Sequence, residues 1–327
     1  AAIALYSTTL ANPTELSIQP YTVHYGDNNH YQWDLDKQDA AVAVNADQRV
    51  GELEKDLEEA QDQLTLDRQG PYGAFGFHAG FHWGYSHRKG ITPPEKWGII
   101  PGYETCGTGL EQSPIDIDPV TAKYNEGLEA LRWTYYTYGD DPPVPEVEFS
   151  GHSIQVDGLS AQLLFKDGWY HFQNFHFHTR SETKINGKDF PLEMHMVHYD
   201  KKGRLLILAW LFDTSVAPEP FMKDLSKHLP KAPGDTRTPP DQEEFKEFLN
   251  GLLEAHDATK YYSFDGSLTI PPCTEGVRWV VMAEPLGISR KMARKFKHLQ
   301  HNNRRPIQPL NNRVVEQSWP QICQMQK

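Results

Sequence analysis

Residues 170–178 read Tyr170-His171-Phe172-Gln173-Asn174-Phe175-His176-Phe177-His178, ending in an alternation of phenylalanine and histidine. In an extended chain, successive side chains point to opposite faces. Phe175 and Phe177 then enter a core, while Asn174, His176 and His178 share the other face. Seventeen residues after His178 comes His195, within Glu193-Met194-His195-Met196-Val197. That segment alternates too, so Glu193, His195 and Val197 point the same way. The intervening Lys184-Ile185-Asn186-Gly187-Lys188 is a turn that lets the two strands run antiparallel. Three imidazoles therefore converge on one point. Three neutral imidazoles bind Zn²⁺ tightly, leave its double charge intact and keep a fourth tetrahedral position open to water, which the ion acidifies. Asn174 and Glu193 each precede a histidine by two residues on the same face, placed to hold the ring nitrogens not used for metal. A lone His-x-His is usually an ordinary polar face. The third histidine and the two polar companions favour a metal site.

From His82 onward, short alternating segments are separated by Gly, Pro, Asp and Asn, the texture of many strands. Strands are expected at Ser153–Val156, Gln162–Phe165, Tyr170–His178, Leu192–Tyr199, Leu205–Phe212 and Val277–Met282. One helix is expected over Asp241–Ala255, with Phe245, Phe248, Leu249, Leu252 and Leu253 on one face and Asp241 with Glu244 as a capping pair. Another follows Ser289, with basic residues on its exposed side.

Residues 1–80 differ. From Ala40 to Leu66 there is no proline and one glycine, Gly51. Ala43, Ala46, Val50, Leu53, Leu57, Ala60 and Leu64 fall at alternating steps of three and four, the period of a coiled-coil seam. The flanks are acidic, so a helix over about 40–66 is expected, packed either on its own domain or against a second chain. The domain division expected is an extension over 1–80 and a folded domain over 81–327. The opening AAIALYSTTLANP has neither a methionine nor a basic start, and it reads as a mature start after loss of a presequence. With 32 Lys+Arg against 44 Asp+Glu, the net charge of −12 argues against a nucleic-acid partner. No apolar run is long enough for a membrane-spanning helix. The 3 cysteines, Cys106, Cys273 and Cys323, allow one bridge and one leftover thiol.

Several separated motifs resemble the α-class carbonic anhydrases, in the order that family has them. They are Trp83-Gly84-Tyr85, Gln112-Ser113-Pro114-Ile115, the histidine set, Ser267-Leu268-Thr269 with Pro271-Pro272, and Asn303-Arg304-Arg305-Pro306 with Gln308-Pro309. The likeness runs from His82 to near Trp319. It implies a mainly β fold: a single domain around a large, mostly antiparallel twisted sheet of about ten strands with short peripheral helices, here with an added N-terminal helical extension. It implies a zinc enzyme that reversibly hydrates CO₂ to bicarbonate and a proton by a zinc-bound hydroxide. His176, His178 and His195 match the zinc ligands, and Asn174, Glu193 and Asn303 the groups behind them. Thr269 matches the threonine that accepts from the hydroxide, Glu182 the carboxylate that orients that threonine, and Tyr85 a tyrosine of the same network. His152 matches the proton shuttle, with Gln155 beside it in the cavity lining. Val197, Ile207, Leu268, Val277 and Trp279 match the apolar wall for CO₂. Cys106 and Cys273 resemble the half-cystines of secreted members, which implies a secreted, periplasmic or lumenal location. Cys323 has no counterpart and, like the helix, is a candidate for joining two chains.

The chain departs from the family at three points near the site. Thr183 stands where a histidine helps hold the carboxylate, Thr179 where a tryptophan is common, and Ile270 where a threonine is common. Ile270 is expected beside the bicarbonate position, where it would alter turnover or anion affinity. Two rival readings are a cupin-type site, with Glu182 as a ligand to Mn or Fe, and a carbonic-anhydrase-like binding module without activity.

Overall fold

The computed structural model describes residues 82–135, 144–166, 168–254 and 256–320. The helix expected at 40–66 and Cys323 lie outside them. The strands that carry the architecture are β1 Glu146–Phe149, β2 Ile154–Asp157, β3 Ala161–Phe165, β4 Gly168–Thr179, β5 Leu192–Tyr199, β6 Leu205–Asp213, β7 Tyr261–Ser267 and β8 Glu275–Met282. The helices are α1 Pro220–His228, α2 Gln242–Glu254 and α3 Arg290–Gln300.

All eight strands belong to one 13-stranded sheet, ordered β1-β2-β4-β5-β6-β8-β7, with β3 on the first half of β4. The mainly β architecture is the expected one. The sheet is mixed, however, where a mostly antiparallel one was expected: β6 and β8 run parallel at its centre. The cause lies in the connection. After β6 the chain passes through α1, α2 and β7 before returning as β8, and a parallel pair needs such a crossover.

The alternation along β4 does what it demands. Phe175 and Phe177 are fully buried in the larger core, with Met194, Met196, Leu208, Trp210 and Phe212 of the neighbouring strands. Phe221 and Leu225 of α1, Phe245 and Leu249 of α2 and Phe296 of α3 close that side. Burial of each such side chain contributes about 1.5–3 kcal/mol. On the opposite face Val197, Ile207, Ala209, Leu211, Phe264, Val277 and Trp279 form a second core, beside the histidines.

The β4–β5 connection turns at Ile185–Lys188, closed by the Lys188 N–H on the Ile185 carbonyl at 3.0 Å. Asn186 and Gly187 take φ of 52° and 74°, the left-handed pair whose twist suits a hairpin. At α2 the Asp241 carboxylate accepts from the Glu244 N–H at 2.9 Å, as expected of the capping pair. At α3 the Ser289 hydroxyl accepts from the Met292 N–H at 3.1 Å. Met292, Phe296 and Gln300 form its buried stripe, while Lys291, Arg294, Lys295 and Lys297 are exposed. Helix α1 escaped the sequence pattern because Pro218 and Pro220 punctuate its start, yet proline is tolerated at a first helical position.

A third cluster packs Trp83, Trp97, Ile100 and Ile270 around the Cys106–Cys273 disulfide, which closes a loop of 167 residues. Closing a long loop restricts the unfolded chain. The double variant Cys106→Ser/Cys273→Ser should lose about 2–5 kcal/mol, read as a lower urea midpoint at constant slope. An unchanged midpoint would show that the bridge contributes nothing to stability.

Candidate metal centre

The ladder between β4 and β5 sets His195 opposite His176 and Glu193 opposite His178. On the other side of β4, Gln155 of β2 pairs with His176. The three rings cluster with centroids 4.6 to 5.3 Å apart. One nitrogen from each lies within 4.8 Å of the others, and all three residues are buried.

The second nitrogen of each ring faces an acceptor and so carries the proton. His176 Nδ1 donates to Asn174 Oδ1 at 3.2 Å, His178 Nδ1 to the Asn303 carbonyl at 2.7 Å, and His195 Nε2 to Glu193 Oε1 at 2.9 Å. That fixes the tautomers and leaves Nε2, Nε2 and Nδ1 for a metal. His178 Nε2 is buried with no hydrogen-bond partner. Burial and then repulsion from His178 and His195 hold His176 well below its ordinary pKa, and burial and then His178 do the same for His195. Burial also lowers His178. Neutral rings are the ligand form. An all-imidazole, buried donor set fits zinc, and Glu182 is not part of it among the described residues.

Glu193 is held by four donors. Oε2 accepts the N–H groups of Glu182 and Thr183 at 2.7 and 2.8 Å; Oε1 accepts the Thr183 hydroxyl at 2.8 Å and the His195 ring at 2.9 Å. Four donors are the company of an ionised carboxylate, against burial that pushes its pKa up. Thr183 thus secures Glu193. Beside it, Glu182 Oε1 accepts the Arg305 N–H at 2.7 Å. Burial pushes Glu182 well above its usual pKa, while the Arg305 N–H and then the Thr269 hydroxyl favour its ionised form. Glu182 Oε2 is buried and has no hydrogen-bond partner among the described residues.

The other motifs converge here. The Arg305 guanidinium donates to the carbonyls of Ser113 and Cys106 at 2.8 and 2.9 Å, and Ser113 N–H donates to the Ser267 hydroxyl at 2.9 Å. Gln112 donates to the Cys273 carbonyl at 3.0 Å. Asn303 does more than its carbonyl contact with His178: its side chain donates to the His152 carbonyl at 2.9 Å and accepts the Thr179 N–H at 2.7 Å. Gln300, which the sequence reading passed over, donates to the Phe177 carbonyl at 2.9 Å and the Thr179 hydroxyl at 2.8 Å. The signal was a polar residue four positions beyond Phe296 on a helix's apolar stripe.

His152 stacks on Trp83, centroids 4.0 Å apart and planes 8° apart, with the Tyr85 ring edge-on at 6.4 Å. Burial there pulls its pKa to about 4. Gln155 is buried and donates to both Asp157 oxygens at 3.0 and 2.8 Å. Val197, Ile207, Leu268, Val277 and Trp279 share one apolar cluster, and Trp279 meets the His195 ring edge-on at 4.9 Å. Ile270 packs with Trp83, Trp97 and the disulfide.

The family model of eukaryotic-type carbonic anhydrase matches residues 92–319. A carbonic anhydrase of Klebsiella pneumoniae is 38% identical over 239 residues, 72% of this chain and 90% of that protein. One from Pectobacterium atrosepticum is 34% identical over 240 residues, with the same coverage of 72% and 90%. The solved α-carbonic anhydrase of Thermovibrio ammonificans, in complex with sulfanilamide, superposes with a TM-score of 0.62 at 36% identity, over 72% of this chain and 98% of that one. The chain belongs to the α-carbonic anhydrases, a family of lyases.

His195→Ala should abolish stoichiometric zinc, measured by metal analysis after dialysis; full retention would end the ligand assignment. Glu193→Gln should weaken zinc affinity by about 10- to 100-fold in a chelator competition. By NMR, the His152 ring should titrate near 4 and move toward 6.5 in Trp83→Ala, because burial is what depresses it.

Proposed function

We propose that the protein is a zinc-dependent enzyme for the reversible hydration of CO₂ to bicarbonate and a proton. The observation that carries this is the triad His176, His178 and His195, each ring tethered through its second nitrogen with the remaining nitrogens gathered within 4.8 Å. A zinc ion held there by neutral imidazoles alone supplies an undiminished double charge that makes water a nucleophile near neutral pH.

The chain's own residues do the rest. The Thr269 hydroxyl has one proton, and the Glu182 carboxyl, whose ionised form the Arg305 N–H and the Thr269 hydroxyl favour against burial, is the acceptor proposed for it. Its oxygen is then left to accept, which selects a nucleophile that still has a proton to give and aims its lone pair away from Thr269. CO₂ has no net dipole and needs no charged binder. Val197, Ile207, Leu268, Val277 and Trp279 offer an apolar wall beside His195. Gln155 and Tyr85 line the route by which a proton leaves, and His152 carries it outward. In the stack on Trp83 the ring is neutral at pH 7, ready to take that proton once it turns toward the cavity. The residues invoked lie between 82 and 320, which supports a catalytic unit over 81–327 with 1–80 as an extension. The Cys106–Cys273 bridge supports an oxidising compartment, and no helix among the described residues is long and apolar enough to cross a membrane.

The test is stopped-flow CO₂ hydration with metal analysis. Activity should rise with pH through neutrality and vanish on zinc removal. His152→Ala should lower kcat by at least about ten-fold, with added imidazole restoring it. An inactive zinc-loaded protein would leave a binding module as the answer; iron or manganese in place of zinc would favour a carboxylate-containing site.

A further inference from the structure

An open pocket of about 800 Å³ is lined by Trp83, Arg88, Lys89, His152 and His301, and by none of the three ligand histidines. Its lining holds no carboxylate, in a chain with 44 Asp+Glu against 32 Lys+Arg. Neither Arg88 nor Lys89 forms an ion pair among the described residues. The nearby Glu95 is engaged elsewhere, with the His87 ring at 2.6 Å. Two uncompensated cations therefore stand at the mouth of a pocket with an imidazole in its wall.

Their placement is built in. The Ile91 N–H donates to the Arg88 carbonyl at 3.0 Å, closing a tight turn whose third residue, Gly90, takes φ of 88°. That conformation favours glycine. The turn leads straight into Ile91–Thr92, which pairs in parallel with His82–Trp83. The Trp97 indole N–H then pins the Thr92 carbonyl at 3.1 Å. Arg88 and Lys89 are thus tied by a short rigid path to Trp83, on which His152 stacks at 4.0 Å.

A guanidinium offers a planar fork that matches oxyanions, and an adjacent ammonium adds a compact charge. A small multivalent oxyanion suits such a pair better than a neutral or apolar guest. We propose that this pocket docks a phosphate-type dianion, and that the docked anion accepts the proton leaving His152. In that step an imidazolium N–H proton passes to a hydrogenphosphate oxygen, giving imidazole and dihydrogenphosphate; no other bond changes. The inference rests on the proposed relay through His152. A dianion in the pocket also opposes the burial that depresses the ring's pKa to about 4, making the protonated ring accessible nearer neutral pH.

The experiment uses the zinc-loaded full chain and its R88Q/K89Q variant. Both substituted residues are exposed. Stopped-flow hydration is measured against rising inorganic phosphate and, separately, rising imidazole, and the half-saturating concentrations are compared as a ratio. A second arm follows the ³¹P line width of phosphate on titration with each protein, without CO₂. The variant should raise the phosphate-to-imidazole ratio about five-fold, and added NaCl should shift the wild type the same way. Phosphate broadening should weaken in parallel. An equal ratio in both proteins, or identical ³¹P titrations, overturns the proposal. If neither protein hydrates CO₂ the catalytic reading fails, and the ³¹P arm alone decides whether the dock exists.

Discussion

Three imidazole N–H groups, each held by a buried oxygen, set the geometry on which the rest of the site depends. A metal-binding ring that can swivel loses its aim. Here Asn174, the Asn303 carbonyl and Glu193 take the second nitrogen of each ring and settle which atom faces inward. The three acceptors are unlike one another: a neutral amide, a backbone carbonyl and a carboxylate. Of these, Glu193 demands the most support, because a buried charge without donors is costly. The N–H groups of Glu182 and Thr183 and the Thr183 hydroxyl supply it.

That requirement explains why distant stretches of sequence meet at one place. The segment that neutralises Glu193 also presents Glu182, and Glu182 is fixed by the Arg305 backbone. The Arg305 side chain then reaches the Ser113 and Cys106 carbonyls. Ser113 meets Ser267, two residues before Thr269, and the disulfide closes the same region. Asn303 joins this network to the His152 backbone while its carbonyl holds His178. His178, the loop that carries Thr269 and the loop that carries His152 are therefore tied into one hydrogen-bonded body.

Much of this was legible in the chain because period-two alternation is a strong signal. The Phe/His run dictated which side chains share a face, and the Asn186-Gly187 pair marked the hairpin that brings His195 opposite His176. Local rules do not reach further. The parallel contact of β6 with β8 depends on a crossover through two helices, which no short window contains. Gln300 looks like any polar helical residue until the helix is docked on β4. Thr183 stood out only as a departure from the histidine common there, because only the fold reveals a hydroxyl in reach of Glu193. Ile270 could be placed beside the bicarbonate position only through the resemblance; that its side chain also packs with Trp83, Trp97 and the disulfide is set by contacts far apart in the chain.

The two faces of β4 also limit how such a chain can change. Because side chains flip sides at every step, shifting this strand by one position would turn phenylalanines toward the cavity and bury imidazoles among the aromatic rings of α1 and α3. Insertions and deletions can accumulate in the outer loops at little cost, but within Asn174–His178 and Glu193–Val197 length is as strictly prescribed as residue identity.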